Sequence, residues 1–168
     1  DVCSSDLIYQ AWNAAVRVAT GDYITNANTD DRHYPGALKV LSRALDKHPE
    51  IAAVYADDDI MRELDGEPVN RHEWIEGDFE ILKQVCFLGP MPMWRRSLHQ
   101  KYGYFDQEMR SAGDYEFWLR VASQGERFLH IPRAIGAYLK RSESAERREP
   151  LRTLWETARA RSRYVEVS

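Results

Sequence analysis

Two short apolar runs, Tyr23-Ile24-Thr25 and residues 51–56, each lead straight into acids, and a helix pattern lies between them. The first opens into Asn26-Ala27-Asn28-Thr29-Asp30-Asp31 and the second into Asp57-Asp58-Asp59. β-branched and aromatic residues favour strands. Between the runs, Pro35 marks a helix start, and Leu38, Leu41, Ala44 and Leu45 share one helical face that ends near His48-Pro49. Strand, helix and strand in this order call for helices layered on a sheet, an α/β fold. In open sheets of that kind, ligands gather beyond the carboxyl ends of the strands.

The rest of the chain keeps the alternation. Residues 8–20 carry Ala11, Trp12, Ala15, Val16 and Ala19 at helical spacing, and Gly21 supplies the stop. Asp65-Gly66 marks a turn in a polar excursion from Met61 to about Gly77. Residues 91–94 read as a third strand, and 96–102 as a short helix. Gly113-Asp114 opens an amphipathic helix through Ser123, in which Phe117, Trp118, Leu119 and Val121 form the core stripe. Residues 128–131 and 134–140 read as two strands around Pro132-Arg133, and the charged stretch 141–149 as a mobile loop. Pro150 opens a last helix to about Val165, marked by Leu151, Leu154, Trp155 and Ala158.

Composition narrows the class of partner. The 168 residues are 43% hydrophobic and 30% charged, with 23 basic and 27 acidic side chains and a net charge of −4. That balance argues against nucleic-acid binding through phosphate neutralisation. No apolar run has the length of a membrane-spanning helix. Cys3 and Cys86 stand far apart, with no His or Cys at metal-ligand spacing, which fits a reducing cytoplasm. Cys86 is expected as a buried apolar side chain.

Adjacent carboxylates on a turn repel one another unless a cation or hydrogen-bond donors compensate. Mg²⁺ or Mn²⁺ suits such oxygen ligands and usually brings a substrate diphosphate as co-ligand. The same acids also fit the simpler task of capping the next helix, as Asp30 or Asp31 would ahead of Pro35. Asp114, at a helix start, fits either an N-cap or a general base that takes a proton from a hydroxyl. Two further readings stay open for these acids. One is metal-dependent phosphoester hydrolysis. The other is a non-catalytic Ca²⁺- or sugar-binding module on Asp57, Asp58 and Asp59, which lack the spacing of a calcium loop.

The series Asn13…Ala19-Thr20-Gly21-Asp22-Tyr23-Ile24, then Asn28-Thr29-Asp30-Asp31 and Pro35, resembles the middle of family-2 glycosyltransferases of the GT-A fold. Gly89-Pro90, Trp94-Arg95-Arg96-Ser97-Leu98-His99, Gly103-Tyr104-Phe105-Asp106 and Gly113-Asp114-Tyr115-Glu116-Phe117-Trp118-Leu119-Arg120 look like its acceptor half. The resemblance runs from about residue 8 to 145. It implies a nucleotide-diphosphate sugar donor, an acceptor hydroxyl and inversion at the anomeric carbon by direct displacement. It implies Asp114 as the base and Asp30 and Asp31 as holders of Mg²⁺ or Mn²⁺ against the diphosphate. Asn13, Asn28 and Asp30 are then expected near the nucleotide sugar, and Glu116 and Trp94 on the acceptor side.

Several positions depart from the family pattern. Asn28 stands where the first acid of the metal motif is usual, and Trp12 where many members have Arg. The segment Tyr138-Leu139-Lys140-Arg141-Ser142 lacks the His that completes the metal site in many members. Lys140 or Arg141 is the candidate substitute, as a point charge against the diphosphate. His72, Trp74 and Glu76 are further acceptor-site candidates in the polar excursion. The family's first strands and their nucleotide-holding loop are not found upstream of Ile8. The expected organisation is therefore a non-native leader over 1–7, a partial family-2 domain over 8–149 and a C-terminal helix over 150–168. The leader heptapeptide resembles the translation of a common sequencing-adapter oligonucleotide, and it also reads as a polar helix lead-in.

Overall fold

A computed structural model describes residues 8–26, 28–63, 66–140 and 149–164. The chain runs α1 (Ile8–Val18), β1 (Tyr23–Thr25), β2 (Arg32–His33), α2 (Ala37–Lys47), β3 (Ile51–Met61) and β4 (Asn70–His72). It continues through α3 (Phe79–Leu82), β5 (Met93–Arg95), α4 (Ser97–Tyr102), α5 (Gly113–Ala122), β6 (Arg127–Leu139) and α6 (Pro150–Ser162). The expectations for 1–7, 141–148 and Asp65 lie outside the described residues.

The sheet has the order β1-β5-β3-β6-β2, with β4 pairing β3. β3 and β6 pair in parallel at its centre, and the other pairs are antiparallel. Residues 51–58 of β3 are all buried, which suits a central strand covered on both faces. Successive side chains alternate between the two layers. Val54 and Ala56 pack with Leu41 and Leu45 of α2. Tyr55 packs on the other side with Phe87, Trp94, Phe105, Phe117 and Trp118. The expected core stripe of α5 is thereby in place.

Three boundaries differ from the sequence reading. β3 does not stop at Ala56 but carries Asp57, Asp58 and Asp59 inside the strand, because β4 and β6 hydrogen-bond to that stretch on either edge. The runs 128–131 and 134–140 are one strand. Its pairing jumps from Ala56–Ile131 to Asp57–Ala134, so Pro132, which has no N–H, sits in an irregularity of the ladder. The polar excursion contains β4, and it is followed by α3, whose N-cap Asp78 accepts the Ile81 N–H at 3.1 Å.

α1 and α6 are where expected, but the faces they bury differ in part from the expected stripes. α1 buries Tyr9, Asn13 and Val16, while Ala11 and Ala15 are exposed. α6 buries Glu156 and Ala160 and leaves Leu151 81%, Leu154 67% and Trp155 59% exposed. Cys86 is half-buried rather than buried. Among the described residues, no helix is long and apolar enough to cross a membrane.

Candidate active site

α5 begins at Gly113 and carries Asp114 in its first turn. Asp114 Oδ1 accepts the Tyr9 hydroxyl at 2.9 Å and the Tyr115 N–H at 2.9 Å. Among the described residues, Oδ2 accepts no hydrogen bond. Burial raises the carboxyl above its ordinary range, against the Tyr115 and Tyr9 hydrogen bonds. Gly113 makes the approach of α1 feasible, because a Cβ there would lie 2.7 Å from the Tyr9 ring. One carboxylate oxygen is thus anchored, and the other is available to a proton.

The turn after β1 gathers the second group of acids. The Asp31 N–H bonds the Asn28 carbonyl at 3.1 Å, and the Asn28 side-chain amide donates to Asp31 Oδ2 at 2.8 Å. The Leu139 N–H of β6 reaches Asp31 Oδ1 at 3.4 Å. Burial pushes the Asp31 carboxyl up to about 6, with the charges of Asp30 and Asp58 adding and the Asn28 amide opposing. Two neighbouring carboxylates under mutual repulsion fit a hard divalent cation that draws its remaining ligands from phosphate and water. Among the described residues, no group of three or more His, Cys, Asp or Glu is arranged to hold a metal ion.

Asp57, Asp58 and Asp59 are engaged within the protein. Asp57 accepts the Trp74 N–H at 3.1 Å and pairs with His130 Nε2 at 2.8 Å. Asp58 accepts the Trp74 indole N–H at 2.6 Å, and burial raises its carboxyl. Asp59 accepts from the Tyr34 hydroxyl at 2.8 Å and from Arg71 at 3.1 Å. Their chemistry fixes the loop of Trp74 and His72, two rings stacked at 4.0 Å, rather than forming an open ion site.

Three of the residues expected at the site are buried and make their hydrogen bonds within the protein. Asn13 is fully buried; its amide donates to the Phe105 carbonyl at 2.9 Å and accepts the Phe105 N–H at 3.0 Å. Both ends of the side chain are engaged, so it clamps α1 to the loop before α5. Glu116 is 2% exposed and bonded to Arg120 at 2.7 Å and to the Tyr164 hydroxyl at 2.7 Å. Trp94 is also 2% exposed and donates to His99 Nε2 at 2.9 Å. Neither offers a polar surface to an acceptor. Lys140 is exposed at the end of β6, and Arg141 lies outside the described residues.

Tyr9, which holds Asp114, has no signal in the sequence pattern: it would have needed the helix face of Asn13 to be read as the inner one.

A cavity of about 460 Å³ separates α1 from β1, lined by Trp12, Ala15, Val16, Ala19, Trp94 and Phe105 among others. β1 pairs with β5 on one edge, and its other edge has no strand partner among the described residues.

A mixed sheet with acids on the turn after β1 and a carboxylate at the start of α5 defines a class that comparison with known proteins makes specific. Residues 7–103, more than half of the chain, match the model of glycosyl transferase family 2, and the chain belongs to that family. Asp114 and α6 lie beyond the matched stretch. An uncharacterized glycosyltransferase of Bacillus subtilis strain 168, YwdF, is 31% identical over 118 residues, covering 67% of this chain and 43% of YwdF. The fold is that of the GT-A glycosyltransferases. Staphylococcus aureus TarS 1–349 in complex with UDP superimposes with a TM-score of 0.66 at 18% identity, covering 94% of this chain and 44% of TarS 1–349. The Pyrobaculum calidifontis mannosyltransferase PcManGT, solved with GDP-Man and Mn²⁺, gives 0.59 at 18% identity, covering 90% and 43%. The chain spans less than half the length of these relatives.

Proposed function

We propose that this chain forms the acid-turn and acceptor half of an inverting glycosyltransferase that moves a sugar from a nucleoside-diphosphate donor to an acceptor hydroxyl. The observation that carries the reading is Asp114, a carboxylate raised by burial, with Oδ1 anchored by Tyr9 and Tyr115 and Oδ2 open. In the reaction, the acceptor hydroxyl gives its proton to Asp114. Its oxygen bonds the anomeric carbon as the bond to the diphosphate breaks on the opposite face. Removing the proton during attack makes the hydroxyl a sufficient nucleophile.

Asp30 and Asp31 would hold Mg²⁺ or Mn²⁺, which supplies charge to the departing diphosphate. Asn28 orients Asp31 from the side through its 2.8 Å hydrogen bond. The UDP and UDP-GlcNAc bound to TarS and the GDP-Man bound to PcManGT support a nucleotide-diphosphate sugar as the donor class.

The test is Asp114→Asn in the longest native polypeptide containing this chain. Transfer is expected to fall by about a hundredfold or more, with UDP or GDP binding retained by calorimetry. Unchanged turnover would remove Asp114 from the reaction.

A further inference from the structure

The backbone that delivers Asp114 to its place is held by a carboxylate from the other end of the chain. Glu156 lies in the middle of α6 and is 2% exposed. Its Oε2 accepts the Ser111 N–H at 2.9 Å, the Ala112 N–H at 3.1 Å and the Ser111 hydroxyl at 3.1 Å. The Arg110 N–H lies 3.0 Å from Oε1 and 3.1 Å from Oε2. Three successive N–H groups aimed at one point make a concavity for an anion. A carboxylate in it forms charge-assisted hydrogen bonds.

This turn is the entry to α5. The Ala112 carbonyl accepts the Glu116 N–H at 2.9 Å, the bond that starts the helix, and Asp114 lies between the two. The peptide groups gripped by Glu156 therefore set the direction in which the Asp114 side chain leaves the backbone. α6 braces the same region beyond the turn, where Arg161 donates to the Tyr115 hydroxyl at 3.0 Å and Tyr164 to Glu116 at 2.7 Å. Tyr9 on α1 anchors the carboxylate itself. Asp114 is thus gripped from two sides, by its oxygen and through its backbone.

We propose that Glu156 is a positioning residue for Asp114, acting through the 110–112 turn and making α6 a working part of the catalytic unit. This rests on the reading of Asp114 as the base. An anchored Oδ1 aims Oδ2 at the acceptor hydroxyl only while the turn keeps its path. In Glu156→Gln, an amide replaces one carboxylate oxygen, and its N–H₂ donors face backbone donors. In Glu156→Asp, the charge stays and the reach shortens.

The experiment uses the longest native polypeptide containing this chain, with two readouts. Hydrogen exchange needs no donor: amides 110–112 and 114 are expected to exchange at least about tenfold faster in Glu156→Gln, with α2 unchanged. Equal exchange in variant and parent would overturn the proposal. Nucleoside diphosphate release from UDP-GlcNAc or GDP-mannose, whichever donor turns over, supplies the second. There kcat is expected to fall about ten- to a hundredfold, with donor KM within about twofold, since small misplacements of a reacting group act on this scale. Glu156→Asp is expected to recover part of kcat. A kcat that is kept while the melting temperature falls would reduce Glu156 to a structural anchor and overturn the proposal. Asp114→Asn run in parallel separates the two claims, since turnover retained there defeats the base reading, whatever Glu156→Gln does to exchange.

Discussion

His99 shows how a buried polar side chain serves this core. Its Nε2 accepts the Trp94 indole N–H at 2.9 Å, and its Nδ1 lies 3.1 Å from the Gly103 carbonyl, so the neutral ring satisfies both neighbours. Phe117 stacks on it at 4.6 Å. Burial lowers its pKa from 6.5 to about 4, the Gly103 carbonyl opposing. The sign follows from linkage: between those values the unfolded chain binds more protons than the folded one, so stability rises with pH. The contribution is fully present above about 6.5 and is lost as pH falls through about 4. The His99 Cε1 proton shift is expected to stay constant from pH 7.5 to about 5. A His99 resonance that titrates near 6.5 would contradict this account of the core.

At the scale of elements, α1 and α6 show what periodicity can and cannot tell. Both helices were legible from their spacing, as were α2, α5, β1 and the sheet-and-helix layering. Their inner faces were not, because what turns inward is a polar side chain with a specific partner: Asn13 on Phe105 in α1 and Glu156 on the 110–112 turn in α6. A hydrophobic pattern cannot display a partner about 90 residues away, nor can it show that acids remain within a strand when β4 pairs alongside. The site divides in the same way. The candidates Asp30, Asp31 and Asp114 were named from motifs, whereas Tyr9 and Glu156 exist as site residues only through tertiary contact. The two kinds of helix surface differ in energy. Asn13→Ala leaves the buried Phe105 N–H and carbonyl without partners and is expected to cost about 1–3 kcal/mol. Trp155→Ser, on the outward stripe of α6, is expected to stay within about 0.5 kcal/mol. Chemical denaturation of the two variants decides between a polar and an apolar docking of these helices, and equal losses would contradict it.

On the scale of the whole molecule, the apolar stripe expected to bury α1 instead faces the cavity beside β1. Trp12, Ala15, Val16 and Ala19 line it from the helix, and Tyr23, Ile24 and Thr25 from the strand whose outer edge has no partner among the described residues. An open strand edge next to an apolar cavity is a template for another strand. The chain spans 43% of YwdF and 44% of TarS 1–349. One added strand would pair the β1 edge, cover Trp12, and bring its own loop toward the Asn28–Asp31 turn, where the proposed diphosphate lies. Structure and activity are then gained together. The 168-residue chain by itself is expected to bind an apolar fluorescent dye at this cavity and to bind UDP or GDP weakly even with Mn²⁺. The longest native polypeptide containing this chain is expected to lose the dye signal, shift tryptophan emission to the blue and bind the nucleotide in a metal-dependent way. Strong metal-dependent UDP or GDP binding by the 168 residues alone, without dye binding, would show that the site needs no further strand.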